Sequence, residues 1–115
     1  MHVLVVDDDA DILELVADTL SFEGHEVTIA LNGLEALRIL DKRRPDVVLL
    51  DLRMPVMDGP TFARRCWERF GNEVPIIAMS AHLNNLRTED LHITHFLPKP
   101  FDLDRLVTLV AQATT

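Results

Sequence analysis

Short, nearly unbroken apolar runs recur along the chain at 3–6, 27–31, 47–50, 76–79 and, more weakly, 95–97. Continuous apolarity without alternation is what strands covered on both faces require. Between the runs, apolar residues fall at helical spacing: Ile12, Leu15, Val16 and Leu20; Leu34, Leu37 and Leu40; Phe62, Trp67 and Phe70; then Phe101, Leu103, Leu106, Val107 and Val110. The stretch 84–92 has only Leu86 and Leu91 to build an apolar stripe and is the least marked helix of the series. Gly24 suits a left-handed helix end, and Pro45 and Pro75 precede buried runs, where a missing N–H does least harm. The pattern predicts five βα units forming one domain over residues 1–115.

Parallel strands joined by helical crossovers take the right-handed connection. The predicted fold is therefore α/β: an open, doubly wound, five-stranded parallel sheet of the flavodoxin-like (βα)5 type, with helices on both faces. Such sheets bind ligands beyond the carboxyl ends of their strands, near the point where strand order reverses. That edge is where chemistry is to be sought.

Composition narrows the function classes. With 48% hydrophobic and 26% charged residues in 115, the chain has enough apolar surface for one core. A net charge of −8 opposes direct binding to nucleic acid or to anionic membrane surfaces. Cys66 is the single cysteine, so no internal disulfide forms. With no leader-like start, this points to the cytoplasm. No apolar stretch approaches the roughly 18 residues of a membrane span. Cys66 reads as packing or surface, and the Phe62, Trp67 and Phe70 group as core.

The first predicted strand runs into Asp7-Asp8-Asp9, the third into Asp51, the fourth into Ser80, and Lys99 follows the fifth. In the predicted sheet all of them reach one edge. Asp9 has the position of a helix N-cap. Asp7, Asp8 and Asp51 belong to two strands that would be adjacent. Carboxylates about 4 Å apart repel by roughly 4 kcal/mol at an effective dielectric near 20, so such a group raises its own pKa values or recruits a cation. An oxygen-only set suits Mg²⁺. A carboxylate is also a competent nucleophile that can carry a phosphoryl group. Asp51 would accept it, Ser80 would donate a hydrogen bond, and Lys99 would neutralise charge. A lone lysine would read as solvated surface, but Lys99 stands between Pro98 and Pro100, which restrict its backbone.

Taken together, VLVVDDD at 3–9, ALNGLEAL at 30–37, PDVVLLDLRMPVMDG at 45–59, PIIAMSA at 75–81 and FLPKPF at 96–101 closely resemble the receiver domains of two-component response regulators. The resemblance covers nearly the whole chain. It implies that Asp51 is the phosphoacceptor, that Asp8, Asp51 and the Arg53 carbonyl ligate Mg²⁺ directly, and that Asp7 ligates through water. It implies that Ser80 is the hydroxyl residue turning toward the phosphate, that Lys99 pairs with it, and that Phe96 is the coupled switch aromatic. The surface of the fourth helix, fifth strand and fifth helix would be remodelled as a shift between two packings. Implied partners are a histidine kinase or phosphotransfer protein as donor and a downstream protein or effector domain, a homodimer being one arrangement. Phosphorylation and hydrolysis would be the only reactions catalysed.

Pro55 and Gly59 fit the loop after Asp51 and the start of the third helix, and Asn32-Gly33 opens a helix in preference to a hairpin. The chain departs from the family pattern before Phe96, where Ile93-Thr94-His95 replaces the common small-residue turn. The segment from Ser80 to Lys99 is about three residues shorter than the family's usual length, so 84–92 is expected to exchange its amide protons faster than the other helices. Arg53 and His82 stand two residues after Asp51 and Ser80, where they read either as surface residues or as groups that guard or order attacking water. His92 and His95 are spaced by three, a weak metal signal that reads as surface. A dehalogenase-type phosphatase is the rival enzyme, but it needs a carboxylate where Arg53 stands. A phosphorylation-independent scaffold is the rival binding module, opposed by the intact acidic set. A nucleotide-binding domain lacks its glycine-rich loop.

Overall fold

The computed structural model describes residues 1–53, 57–80, 93 and 95–113. It contains β1 (His2–Val6), α1 (Ala10–Phe22), β2 (Glu26–Ala30), α2 (Gly33–Lys42), β3 (Val47–Asp51), α3 (Gly59–Phe70), a 3-10 turn (Gly71–Glu73), β4 (Ile76–Ser80), β5 (His95–Pro98) and α4 (Leu103–Ala113). All strands are parallel, in the order β2-β1-β3-β4-β5. The expected five-stranded sheet is present. The stretch 84–92, Pro55 and His82 lie outside the described residues, so the helices described number four and α4 is the last of these.

The two-residue repeat of a strand divides the core into two layers. Leu4, Val6, Val48, Leu50, Ile76 and Ala78 face Ala36 and Leu40 of α2 and Phe62, Ala63 and Cys66 of α3. Val3, Val5, Val47, Leu49, Ile77 and Met79 face Leu13, Val16 and Leu20 of α1 and Leu106, Leu109 and Val110 of α4. Burial on both sides explains why β1, β3 and β4 read as unbroken apolar runs. β2 differs from expectation: Glu26 and Ile29 are exposed, because β2 is the sheet edge and the helices cover the interior strands.

The helical stripes are each corrected by the packing. Leu13 replaces Leu15 at the centre of the α1 stripe, Ala36 replaces Leu34 in α2, and Leu109 joins Leu106 and Val110 in α4, while Leu15, Leu34 and Leu103 are exposed. Trp67 is 38% exposed and is not core. In α3 the inward row is Gly59, Phe62, Ala63 and Cys66, so three small residues share it with one fully buried phenylalanine, and Trp67 lies on the flank. Burial pushes the Cys66 thiol up to about 11, as befits a packing residue.

Local capping agrees with the sequence. Asp9 Oδ1 accepts from the amides of Asp11 at 3.0 Å and Ile12 at 3.3 Å, and Asn32 Oδ1 accepts from Glu35 at 2.9 Å. Asp58 Oδ1 accepts from Thr61 N–H at 2.8 Å, which lowers the Asp58 pKa. Gly24 adopts φ +92° just beyond α1, the left-handed conformation that favours glycine. At the opposite end of the sheet, the His2 amide donates to Asp46 Oδ2 at 2.7 Å and His2 O accepts from Asp46 N–H at 2.8 Å. Exposed ion pairs join Arg43 with Glu26, Arg44 with Glu73 at 2.6 Å, and Arg69 with Asp41.

Candidate functional site

Strand order creates the site. β2 lies on one side of β1 and β3 on the other, so the chain reverses direction across the sheet between β1 and β3. Val6 is paired with Leu50, and each strand then continues into an aspartate, Asp7 and Asp51. The ladder to β2 runs one residue further, since Asp7 N–H donates to Ala30 O at 3.1 Å. Asp8 follows at the surface. One carboxylate oxygen from each of Asp7, Asp8 and Asp51 lies within 4.8 Å of the others. Asp7 is fully buried, Asp51 is 5% exposed and Asp8 is open to solvent.

Asp7 is held at both oxygens. Its Oδ1 accepts from Asp9 N–H at 2.9 Å and its Oδ2 from Lys99 Nζ at 2.8 Å. Lys99 Nζ lies 3.5 Å from Asp51 Oδ2 and so sits between the two buried carboxylates. Its backbone is anchored by the amide donating to Ser80 O at 2.9 Å, and the Lys99–Pro100 peptide is cis. Burial opposes the charge of Lys99, but Asp7, through its hydrogen bond and field, and then Asp51 leave its pKa above the ordinary value. Lys99 is therefore a fixed cation.

Asp51 is in the opposite condition. Burial pushes its pKa up to about 6; the Arg53 amide, donating to Oδ1 at 3.1 Å, and Lys99 oppose this, while Asp7 adds to it. One lysine does not neutralise three clustered carboxylates, and the set is all oxygen. These residues fit a hard divalent cation such as Mg²⁺.

Two glycines bring helices against this edge. A Cβ on Gly59 would meet Leu52 Cα at 2.5 Å and Asp51 O at 2.6 Å, so only glycine lets the first turn of α3 rest on the backbone of the candidate nucleophile. A Cβ on Gly33 would meet Met57 Cγ and Met57 O at 2.9 Å. The sequence accounts for Gly59 only as part of the loop and helix start. Its contact with the Asp51 carbonyl carries no sequence signal, and neither does the contact of Gly33 with Met57.

The other expected residues occupy this edge or its approach. Ser80 ends β4 and is buried, and Arg53 is exposed just after β3. Phe96 is half-buried on β5, against the α2–α3 core layer. Beside Lys99, an open depression of about 400 Å³ is lined by Ile12, Leu15, Pro100 and Phe101. The acidic trio is the only group of three or more potential metal ligands among the described residues, and His92 lies outside them. Among the described residues no helix is long and apolar enough to cross a membrane.

Comparison with known proteins agrees with this geometry. The family profile described as the response regulator receiver domain matches residues 3–111. The chain is 36% identical over 110 residues to the response regulator MprA of Mycobacterium sp. (strain KMS), covering 93% of this chain and 47% of that protein. It thus spans about half the length of the curated relatives it matches. Among solved structures, it is similar to the receiver domain of NtrX from Brucella abortus, with a TM-score of 0.89, 32% identity and 97% of each chain covered. It is also similar to the chemotaxis protein CheY4 of Vibrio cholerae, with a TM-score of 0.91, 31% identity and 97% of each chain covered.

Proposed function

The chain belongs to the response regulator receiver domain family, and on that premise we propose that Asp51 is its phosphoacceptor, drawing a phosphoryl group from a phosphohistidine of a histidine kinase or phosphotransfer protein. The observation that carries this reading is the meeting of three carboxylates within 4.8 Å, with Lys99 Nζ 3.5 Å from Asp51. A carboxylate oxygen of Asp51 forms the new bond to phosphorus while the bond from phosphorus to the donor nitrogen breaks.

Asp7 holds Lys99 in place, and Lys99 meets the negative charge that arrives with the phosphoryl oxygens. Ser80 is the hydroxyl that donates to a phosphoryl oxygen, and Phe96 fills the space that its movement leaves. Asp8, Asp51 and the Arg53 carbonyl would hold Mg²⁺ directly, with Asp7 acting through water. When bound, the ion offsets the mutual repulsion of the carboxylates and the charge on the phosphoryl group. Arg53 and His82 govern access of water to the acyl phosphate.

The apolar depression of Ile12, Leu15, Pro100 and Phe101 borders Lys99 and would seat the donor protein. Residues 1–115 act as one receiver domain in the cytoplasm and catalyse only their own phosphorylation and dephosphorylation. The output passes through the fifth strand and its flanking helices to a downstream protein or effector domain. Intact mass after incubation with Mg²⁺ and phosphoramidate tests the central point. A gain of one phosphoryl group is expected in the wild type and not in Asp51→Asn or without Mg²⁺; a gain of equal size in Asp51→Asn removes the assignment.

A further inference from the structure

Charge is shared unevenly between the two helical layers. Residues 33–44 and 59–70, comprising α2 with the two residues after it and α3, carry seven Lys or Arg against three Asp or Glu, net +4, whereas the rest of the chain carries four against sixteen, net −12. Three of the seven are engaged: Arg43 with Glu26, Arg44 with Glu73 and Arg69 with Asp41. Arg38, Lys42 and Arg65 are exposed and enter no ion pair among the described residues.

Between α2 and α3 runs an open groove of about 400 Å³, with Leu37 and Asp41 on one wall and Arg65, Glu68 and Arg69 on the other. Leu34 lies one turn before Leu37 and Arg38, on the side of α2 that they share, and is 40% exposed. Exposed Leu34 and half-buried Leu37 thus form a small apolar spot edged by cations on a protein that is otherwise strongly acidic.

We propose that this α2–α3 face docks an acidic protein segment, whose carboxylates meet Arg38, Lys42 and Arg65 while an apolar side chain covers Leu34 and Leu37. Nucleic acid fits less well, because its uniform line of phosphates would meet Asp41 and Glu68 in the groove and the net −12 beyond it. A peptide can place a carboxylate beside each arginine and an apolar group between them. The surface is on the opposite side of the sheet from α1 and α4, and the proposal stands whether or not Asp51 accepts a phosphoryl group.

The test uses the full chain, ¹⁵N-labelled, titrated with a short synthetic peptide of glutamate carrying leucine at every third or fourth position. A lysine–leucine peptide of equal length and a short DNA duplex serve as the comparison probes. Amide shifts confined to α2 and α3 are expected, with affinity that falls as salt rises. Affinity should fall by about tenfold or more in the Arg38→Glu, Arg65→Glu double variant, whose spectrum elsewhere stays unchanged because neither side chain enters an ion pair among the described residues. Four results would overturn the proposal: no shifts, shifts centred on α1, equal binding of the lysine peptide, or tighter binding of the duplex. Self-association abolished by the same double variant would also overturn it, assigning the face to a second copy of the chain.

Discussion

Lys99 Nζ stands 2.8 Å from Asp7 Oδ2 and 3.5 Å from Asp51 Oδ2, so the lysine that serves the candidate nucleophile is positioned by a different carboxylate. Asp7 is wholly buried and has no solvent to replace that partner. Removing the ammonium while keeping the stem, as in Lys99→Met, leaves two buried carboxylates facing each other. A loss on the order of 3 kcal/mol is expected without divalent metal, the scale for breaking a buried pair from one side. Urea denaturation with and without Mg²⁺ checks it. The deficit should shrink with Mg²⁺, and a deficit indifferent to Mg²⁺ would mean that the ion does not share these carboxylates.

Asp51 has a raised pKa in the folded chain, about 6, so the fold binds its proton more tightly than the unfolded chain does. The associated stability is present at low pH and is lost as pH rises through about 6. Metal-free protein should therefore be less stable at pH 7.5 than at pH 5 as far as this group is concerned. Asp51→Asn should remove that dependence and stabilise the metal-free protein at pH 7.5 by up to about 3 kcal/mol, since each tenfold difference in proton affinity between folded and unfolded chain is worth about 1.4 kcal/mol. Thermal melts of both proteins across this range, in chelator, decide the point.

Divalent metal should stabilise the wild type through the same group. At a hundredfold excess over its dissociation constant the gain is about 2.7 kcal/mol. Asp8→Asn removes an exposed carboxylate of the trio while leaving Asp7 and Lys99 engaged, so it should keep the fold and weaken Mg²⁺ by about tenfold or more. Calorimetric titration with MgCl₂ measures both. Unchanged affinity in Asp8→Asn would remove that residue from the ligand set.

Gly59→Ala and Gly24→Ala separate packing from function. The first drives a Cβ into backbone atoms of Asp51 and Leu52, which cannot swing aside as a side chain could. Overpacking of that kind costs roughly 1–3 kcal/mol and should also slow phosphoryl uptake by moving Asp51. The second meets open space, and only its φ of +92° is unfavourable. A cost of about 1 kcal/mol with normal uptake is expected. Denaturation midpoints set beside phosphorylation rates distinguish the two.

β1 and β3 with their terminal aspartates were legible because each is a local pattern: a short apolar run followed by a carboxylate. Which residues pair was less so. Lys99 and Asp7 are 92 positions apart, and motif order alone suggests that the lysine serves the phosphate directly. The helix interiors misled for a related reason. Leucine and tryptophan dominate an apolar stripe on paper, yet in α3 the row against the sheet is Gly59, Phe62, Ala63 and Cys66, of which only Phe62 belongs to the stripe expected from the sequence. Trp67 contributes hydrophobicity to the sequence without occupying that row. Nothing in the amino-acid pattern marks Gly33 as a seat for Met57, because a close approach between distant segments leaves no periodic trace.

The pairing of Val6 with Leu50 has a further consequence. Slide β3 by one residue along β1 and Asp51 would point into the opposite layer, stranded among apolar side chains, while Asp7 faced a leucine or nothing. The spacing of the two carboxylates is thus counted out by the sheet's own repeat, and every apolar residue in either layer votes on it. A core substitution far from the acidic edge that loosened this count would appear in assays as a chemical defect, although no reacting group had been touched.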